Sequence, residues 1–296
     1  MKVCVLISRR KKLEYNDECL PLVSFIIPTL NSEKTLQKCL QSIVDQEYPS
    51  IEIIIIDGGS LDNTLSIAKK YPARIFKFSG SLGATRQLGI NNSSGEIIAN
   101  WDSDVYIPHK KWLYKAVKTL LQYEYASTLW VYNIPPPNST LVEKAFAWYG
   151  WNMMLDLAKR SIGFWGGGVS LFKRRMVQEV GGFDVKVDIG EDFDLARKLS
   201  LKGYKVIFYT DYVYHDTFRS FSELIRKDIR RARNFKNKNM TWLTGIPLGE
   251  LVGTNLKVGF ILSLKNLFTK KKAYYGLVPI IVLLRLIVYT IMHLLP

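Results

Sequence analysis

Three short acidic clusters, each following an apolar run, are the residues of this chain best placed to do chemistry. They are Asp57 in IEIIIIDGGSLDNT, Asp102 and Asp104 in GEIIANWDSDV, and Glu191 and Asp192 in IGEDFDLARKL. A carboxylate just past a buried strand lies at the C-terminal edge of a parallel sheet, where open α/β folds bind ligands. Three such groups at one edge can hold a metal and still leave one carboxylate free as a base. Asp102 and Asp104 are two residues apart, so on an extended segment their side chains point the same way. That pair suits a hard divalent ion, Mn2+ or Mg2+, which also takes diphosphate oxygens and neutralises charge on a departing nucleoside diphosphate. Asp192 follows Gly190 at the start of a helix, where an acid also serves capping and the helix dipole. Its sharper role is that of a base taking the proton of an attacking acceptor hydroxyl. Arg86, in GATRQLG, could meet a phosphate or base while the glycines permit close backbone approach. His215, in YVYHDTF at a strand end, is expected near the metal or phosphate.

The elements that must position these residues read as strand–helix alternation. VSFIIPTL (23–30) is a buried strand, and Asn31 and Ser32 can cap the helix SEKTLQKCLQSIVDQ. IEIIIID (51–57) is the second strand, Gly58–Ser60 turns into the helix LDNTLSIAKKY, and RIFKF (74–78) is the third strand. SGSLGATRQLG reads as a loop before a short helix and the strand EIIANW (96–101). This pattern demands a mostly parallel α/β sheet with helices on both faces. Further on, PHKKWLYKAVKTLLQYE is a helix, STLWVYNI a strand, FAWYGWNMML an aromatic helix, EDFDLARKLSLKG a helix and KVIFYT a strand.

Charge divides the chain. Residues 1–218 hold 27 Lys/Arg against 23 Asp/Glu, whereas residues 219–296 hold 14 against 3. The front is a near-neutral globular body and the back is basic and apolar, which favours an anionic membrane surface over nucleic acid. The helix around 224–238 is basic, and AYYGLVPIIVLLRLIVYTIMHLLP ends the sequence. As a helix, its last 22 residues or so would extend about 33 Å, close to the hydrocarbon thickness of a bilayer. Pro279 would kink it and Arg285 would sit in its middle at a cost of about 2.5–3.5 kcal/mol. It either spans the membrane at 274–295, lies in its plane or is buried, and a span would keep Lys270–Lys272 cytoplasmic. Cys4, Cys19 and Cys39 lack metal-ligand spacing and fit a reducing compartment. The first residues are too briefly apolar for a secretory signal. The catalytic body is therefore expected on the cytoplasmic side of the cell membrane.

Taken in order, SFIIPTLN, IIIIDGGSLDNT, GATRQLGINNSSGEIIANWDSD, GGGVSLFKRRMVQEVGGFD and GEDFDLARKLSLKGYK resemble the family 2 glycosyltransferases of the GT-A fold. The likeness runs from about residue 22 to 218, two-thirds of the chain. It implies an N-terminal extension (1–21), a Rossmann-like GT-A domain (22–218) and a C-terminal membrane-association region (219–296). It also implies inverting transfer from a UDP- or GDP-sugar with a divalent metal. On the matching positions, Pro28, Thr29, Asn31, Asp57, Arg86, Asp102 and Gly167 would bind the nucleotide-sugar. Asp102, Asp104 and His215 would hold the metal, and Asp192 would be the base. Glu191, Trp165, Arg230 and Arg231 are expected on the acceptor or membrane side. Gly58 stands where many relatives carry a second acid, and Val105 where a further Asp is frequent. The QxxRW motif of processive synthases is absent, which favours adding one sugar to a lipid-linked or polyprenyl-phosphate acceptor. A nucleotidyltransferase and a non-catalytic adaptor of the same fold are the alternatives.

Overall fold

The structure is a computed structural model and describes residues 20–158, 168–217, 220–235 and 248–294. The described residues fall into two compact units, one lying within 1–133 and 165–215 and the other within 134–164 and 216–296. The segment 134–164, which the sequence reading placed inside the 22–218 body, thus groups with the C-terminal residues.

The first unit is built on β1 (Val23–Thr29), α1 (Leu36–Val44), β2 (Ile51–Asp57), α2 (Thr64–Ala68), β3 (Ala73–Lys77), α3 (Leu82–Asn91) and β4 (Ile97–Asn100). These are followed by β5 (Val105–Tyr106), α4 (Trp112–Leu121) and β6 (Ala126–Ile134). After α5 (Leu141–Ala158), which belongs to the second unit, come β7 (Ser170–Lys173), α6 (Arg174–Glu179), α7 (Glu191–Leu201) and β8 (Lys205–His215). The sheet order is β3-β2-β1-β4-β7-β6-β8-β5. β3, β2, β1 and β4 are parallel, as the strand–helix alternation requires. The β4–β7, β6–β7 and β5–β8 pairs are antiparallel.

β1 and β2 read as continuous apolar runs because both of their faces are covered, and Phe25, Ile26, Ile27 and Ile54–Ile56 are buried. Each such side chain contributes about 1.5–3 kcal/mol on burial. Trp101 lies at the end of β4 and meets Phe25 and Trp112 edge to face, at 5.2 and 5.7 Å between ring centres. This aromatic stack holds the loop that begins at Asp102.

Two local expectations are corrected. Asn31 and Ser32 do not cap α1 with their side chains; its N-cap is Thr35, which makes no side-chain cap bond. Asn31 is diverted instead, adopting φ 50° and accepting from the Leu61 amide at 2.9 Å. The supposed loop GATRQLG is helical, within α3. Ser81 caps it by accepting from Ala84 N at 3.1 Å, and its glycines serve close packing rather than flexibility. A Cβ on Gly89 would come 2.3 Å from Ile26 Cγ2, and one on Gly83 2.1 Å from the Asp184 carbonyl oxygen.

The second unit is helical: α5, α8 (Phe221–Phe235), α9 (Leu248–Leu256), a π-helical stretch (Lys257–Leu262), α10 (Ser263–Lys270) and α11 (Tyr274–Leu294). Its core gathers Ala145, Tyr149, Leu224, Val258, Val278, Ile281 and Val282. Arg285 is not an isolated charge, because its Nε lies 2.9 Å from buried Asp228 Oδ2 on α8.

Candidate active site

The site is assembled where β1, β2 and β4 end. Thr29 and Asp57 are register partners on β1 and β2, and Thr29 Oγ1 donates to Asp57 Oδ1 at 3.0 Å. Asp57 is fully buried. Its carboxylate also accepts from Ser60 Oγ at 2.5 Å and from the Gly59 and Ser60 amides at 3.1 and 2.9 Å. Burial alone would raise the Asp57 pKa, but these hydrogen bonds outweigh it and hold the group below the ordinary value. Asp57 therefore shapes the loop after β2 and ties it to β1. The Asn31 amide adds a bond to Ser60 Oγ at 2.9 Å, stitching the two loops together. Pro28 pairs in register with Ile56 beside them.

After β4, Asp102 and Asp104 flank Ser103, whose hydroxyl lies 2.9 Å from that of Ser32. β5 then pairs with β8 so that Val105 stands opposite His215. That register brings His215 Nε2 to 3.3 Å from Asp104 Oδ1. Asp102, Asp104 and His215 each offer a ligand atom, and these atoms all lie within 4.8 Å of one another. The three residues expected to share a metal are thus together, from positions more than a hundred residues apart in sequence.

Arg86 organises the other side. It is 2% exposed, with Nη2 2.7 Å from Asp102 Oδ1, Nε 3.0 Å from Glu191 Oε1 and Nη1 donating to Asn100 Oδ1. It is neither a surface residue nor open to ligand on all its donors. Burial would lower its pKa, but Asp102 and Glu191 outweigh that and raise it. Glu191, expected on the acceptor or membrane side, is buried against Arg86. Its own burial first, and then the Asp192 charge, push it up to about 8 against the pull of Arg86. Asp192 sits in the first turn of α7, next to this pair and nearly buried.

Asn100 is a residue of this cluster that the sequence reading did not name. It accepts from Arg86 and donates through Nδ2 to the Gly168 carbonyl at 2.6 Å. The available signal was a polar residue ending the apolar run IIAN. Gly168 packs closely against the same cluster, since a Cβ there would meet Asp102 Oδ2 at 2.3 Å. Trp165 and Gly167 lie outside the described residues, as does the Arg231 side chain; Arg230 is exposed on α8.

Residues 24–181, more than half of the chain, match the family described as Glycosyl transferase family 2. The chain belongs to that family. Glycosyltransferase AglE of Haloferax volcanii is 30% identical over 226 residues, covering 71% of this chain and 72% of that protein. Glycosyltransferase GlyA of Streptococcus pneumoniae is 29% identical over 216 residues, and the match spans only 30% of its length. Among solved structures, the mannosyltransferase PcManGT from Pyrobaculum calidifontis, in complex with GDP-Man and Mn2+, superposes with a TM-score of 0.64. Its identity is 18%, with 97% of this chain and 90% of that one covered. Staphylococcus aureus TarS 1-349 with UDP-GlcNAc gives a TM-score of 0.54 at 17% identity, over 92% and 90% of the two chains. The expected GT-A fold is thereby borne out, and this family 2 chain is a nucleotide-sugar-dependent glycosyltransferase.

Proposed function

We propose that this glycosyltransferase moves a single sugar from UDP or GDP to a hydroxyl or phosphate of a lipid-linked acceptor, such as a polyprenyl phosphate, with inversion. The observation that carries this reading is the convergence of Asp102, Asp104 and His215 beside the Arg86–Glu191 pair and Asp192. Two carboxylates and one imidazole make a donor set that Mn2+ accepts, and Mg2+ with more retained water. Asp102, Asp104 and His215 would hold that ion, which supplies neutralisation of the leaving diphosphate. Support for a nucleotide-sugar donor comes from PcManGT and TarS, whose structures contain GDP-Man and UDP-GlcNAc.

Asp192 takes the proton of the acceptor oxygen as that oxygen bonds to the anomeric carbon. The bond from that carbon to the diphosphate breaks on the opposite face, and the nucleoside diphosphate leaves with the electron pair. Arg86 holds Asp102 through Nη2 and Glu191 through Nε. The division of labour proposed is catalysis by 22–218 and membrane association by 219–296, with 134–164 built into the latter's compact unit. The catalytic body faces the cytoplasm, the reducing compartment that the cysteine usage fits.

The test is a thermal-shift panel of UDP, GDP, CDP, TDP and ADP on purified protein, with and without Mn2+. A metal-dependent shift confined to one nucleotide is expected and names the donor base. No shift with any nucleotide would overturn the donor reading and favour a non-catalytic adaptor.

A further inference from the structure

The second compact unit carries two apolar stripes that its own core does not use. Val252, Leu256, Ile261, Leu264 and Phe268 are exposed along α9, the π-helical stretch and α10, with Ile261 64% and Phe268 75% exposed. Their spacing is four, five, three and four residues. A step of five in an α-helix would swing a side chain about 140° off the stripe. That step falls in Lys257–Leu262, where π-helical winding takes up an extra residue per turn and keeps the stripe on one face. On α11, Ile280, Leu283, Ile287 and Ile291 recur at three- and four-residue spacing and are 46–53% exposed. The opposite side of α11 carries Val278, Ile281, Val282 and Arg285 inward.

The two helices form an antiparallel hairpin. Gly259 lies against the Val282 side chain and Gly276 against Leu267, and the turn between them begins at Lys271, with φ 50°. Lys270, Lys271 and Lys272 therefore sit at its tip. From residue 251 to 296 the sequence has six Lys or Arg and no Asp or Glu. Lys257 is paired with Asp156 and Arg285 with Asp228, and α9 carries Glu250, so the charge beside the apolar stripes comes from Lys265 and Lys270–Lys272. Apolar stripes accompanied by these lysines complement an anionic lipid surface.

We propose that this face docks the protein in the plane of an anionic leaflet, and that Tyr274–Leu294 does not cross the bilayer. By length and composition Tyr274–Met292 is able to cross, at a mean hydropathy of 2.1. Two features oppose it. Crossing tip-first would carry three lysines through hydrocarbon, and crossing alone would pull Arg285 from Asp228 and leave two charges unpaired. Lying flat keeps the Arg285–Asp228 pair inside the unit, puts the stripes at the acyl boundary and leaves the lysines among headgroups. This deepens the membrane association proposed above, but its readout needs neither donor nor acceptor, so it can fail or hold independently of the transferase reading.

The test uses the full chain, with Cys4 and Cys19 replaced by Ser, and a fluorophore placed through Ile280→Cys or Ile291→Cys. The protein is added to phosphatidylcholine vesicles with or without phosphatidylglycerol, and depth is read with lipids quenching at headgroup or mid-chain level. Expected are binding more than tenfold tighter with phosphatidylglycerol and the same shallow depth at both positions. An Ile261→Ser, Phe268→Ser variant, altered only at exposed positions, should bind about tenfold more weakly. A depth difference of about 16 Å between 280 and 291 would mean a span and overturn the proposal. Absence of vesicle binding, or binding indifferent to the double serine variant, would overturn it as a lipid-docking face.

Discussion

Replacing Gly168 with Ala tests how tightly the site holds its metal-side carboxylate. The added Cβ would lie 2.3 Å from Asp102 Oδ2 and 2.9 Å from its Cγ and Oδ1, whereas ordinary contact begins at 3.4 Å. Asp102 must therefore retreat by about 1.1 Å, the difference between 3.4 and 2.3 Å. Its partner cannot follow, because Arg86 is pinned by Glu191 at 3.0 Å and by Asn100, itself held to the Gly168 carbonyl at 2.6 Å. A displacement of about 1 Å in a positioning group costs about a hundredfold in rate, or roughly 2.7 kcal/mol in the barrier. Overpacking costs a further 1–3 kcal/mol or so of stability, which a folded domain tolerates. The assay is the initial transfer rate across a Mn2+ titration, beside an unfolding curve. Gly168→Ala should turn over about a hundredfold more slowly, with half-saturation moved to higher Mn2+ and a single cooperative unfolding transition retained. A rate and a metal requirement within about twofold of the wild type would refute the placement of Asp102 in the working site.

Asp192→Asn should keep the nucleotide-induced thermal shift and lose transfer by about 10²–10⁴-fold; normal turnover would remove Asp192 as the base. Asp57 has a folded-state pKa below its ordinary 3.8, so its stabilising contribution is present above that value and is lost as pH falls through the folded-state value. Urea midpoints measured from about pH 5 downward should fall less steeply in Asp57→Asn than in the wild type. Identical slopes would mean that Asp57 carries no such linkage.

Much of the first unit was legible because its signals are local. A buried parallel strand must be apolar on both faces, so IEIIIID and SFIIPT announce themselves, and the acids that end such strands fall at the sheet edge by topology alone. The alternation of these runs with helices fixed the parallel half, and the basic, acid-poor tail marked a second kind of surface. Three things needed the folded chain. GATRQLG reads as loop by its glycines, yet it is helical because Gly83 and Gly89 admit backbone and Ile26 at distances no Cβ allows. His215 reaches Asp104 only through the β5–β8 register. Arg86 and Arg285 looked like a ligand contact and an isolated charge, and both are buried in pairs with carboxylates distant in sequence. Periodicity and motif spacing are properties of neighbours along the chain, whereas a charge is neutralised by whatever packing brings to it, and that is settled only when the elements close on one another.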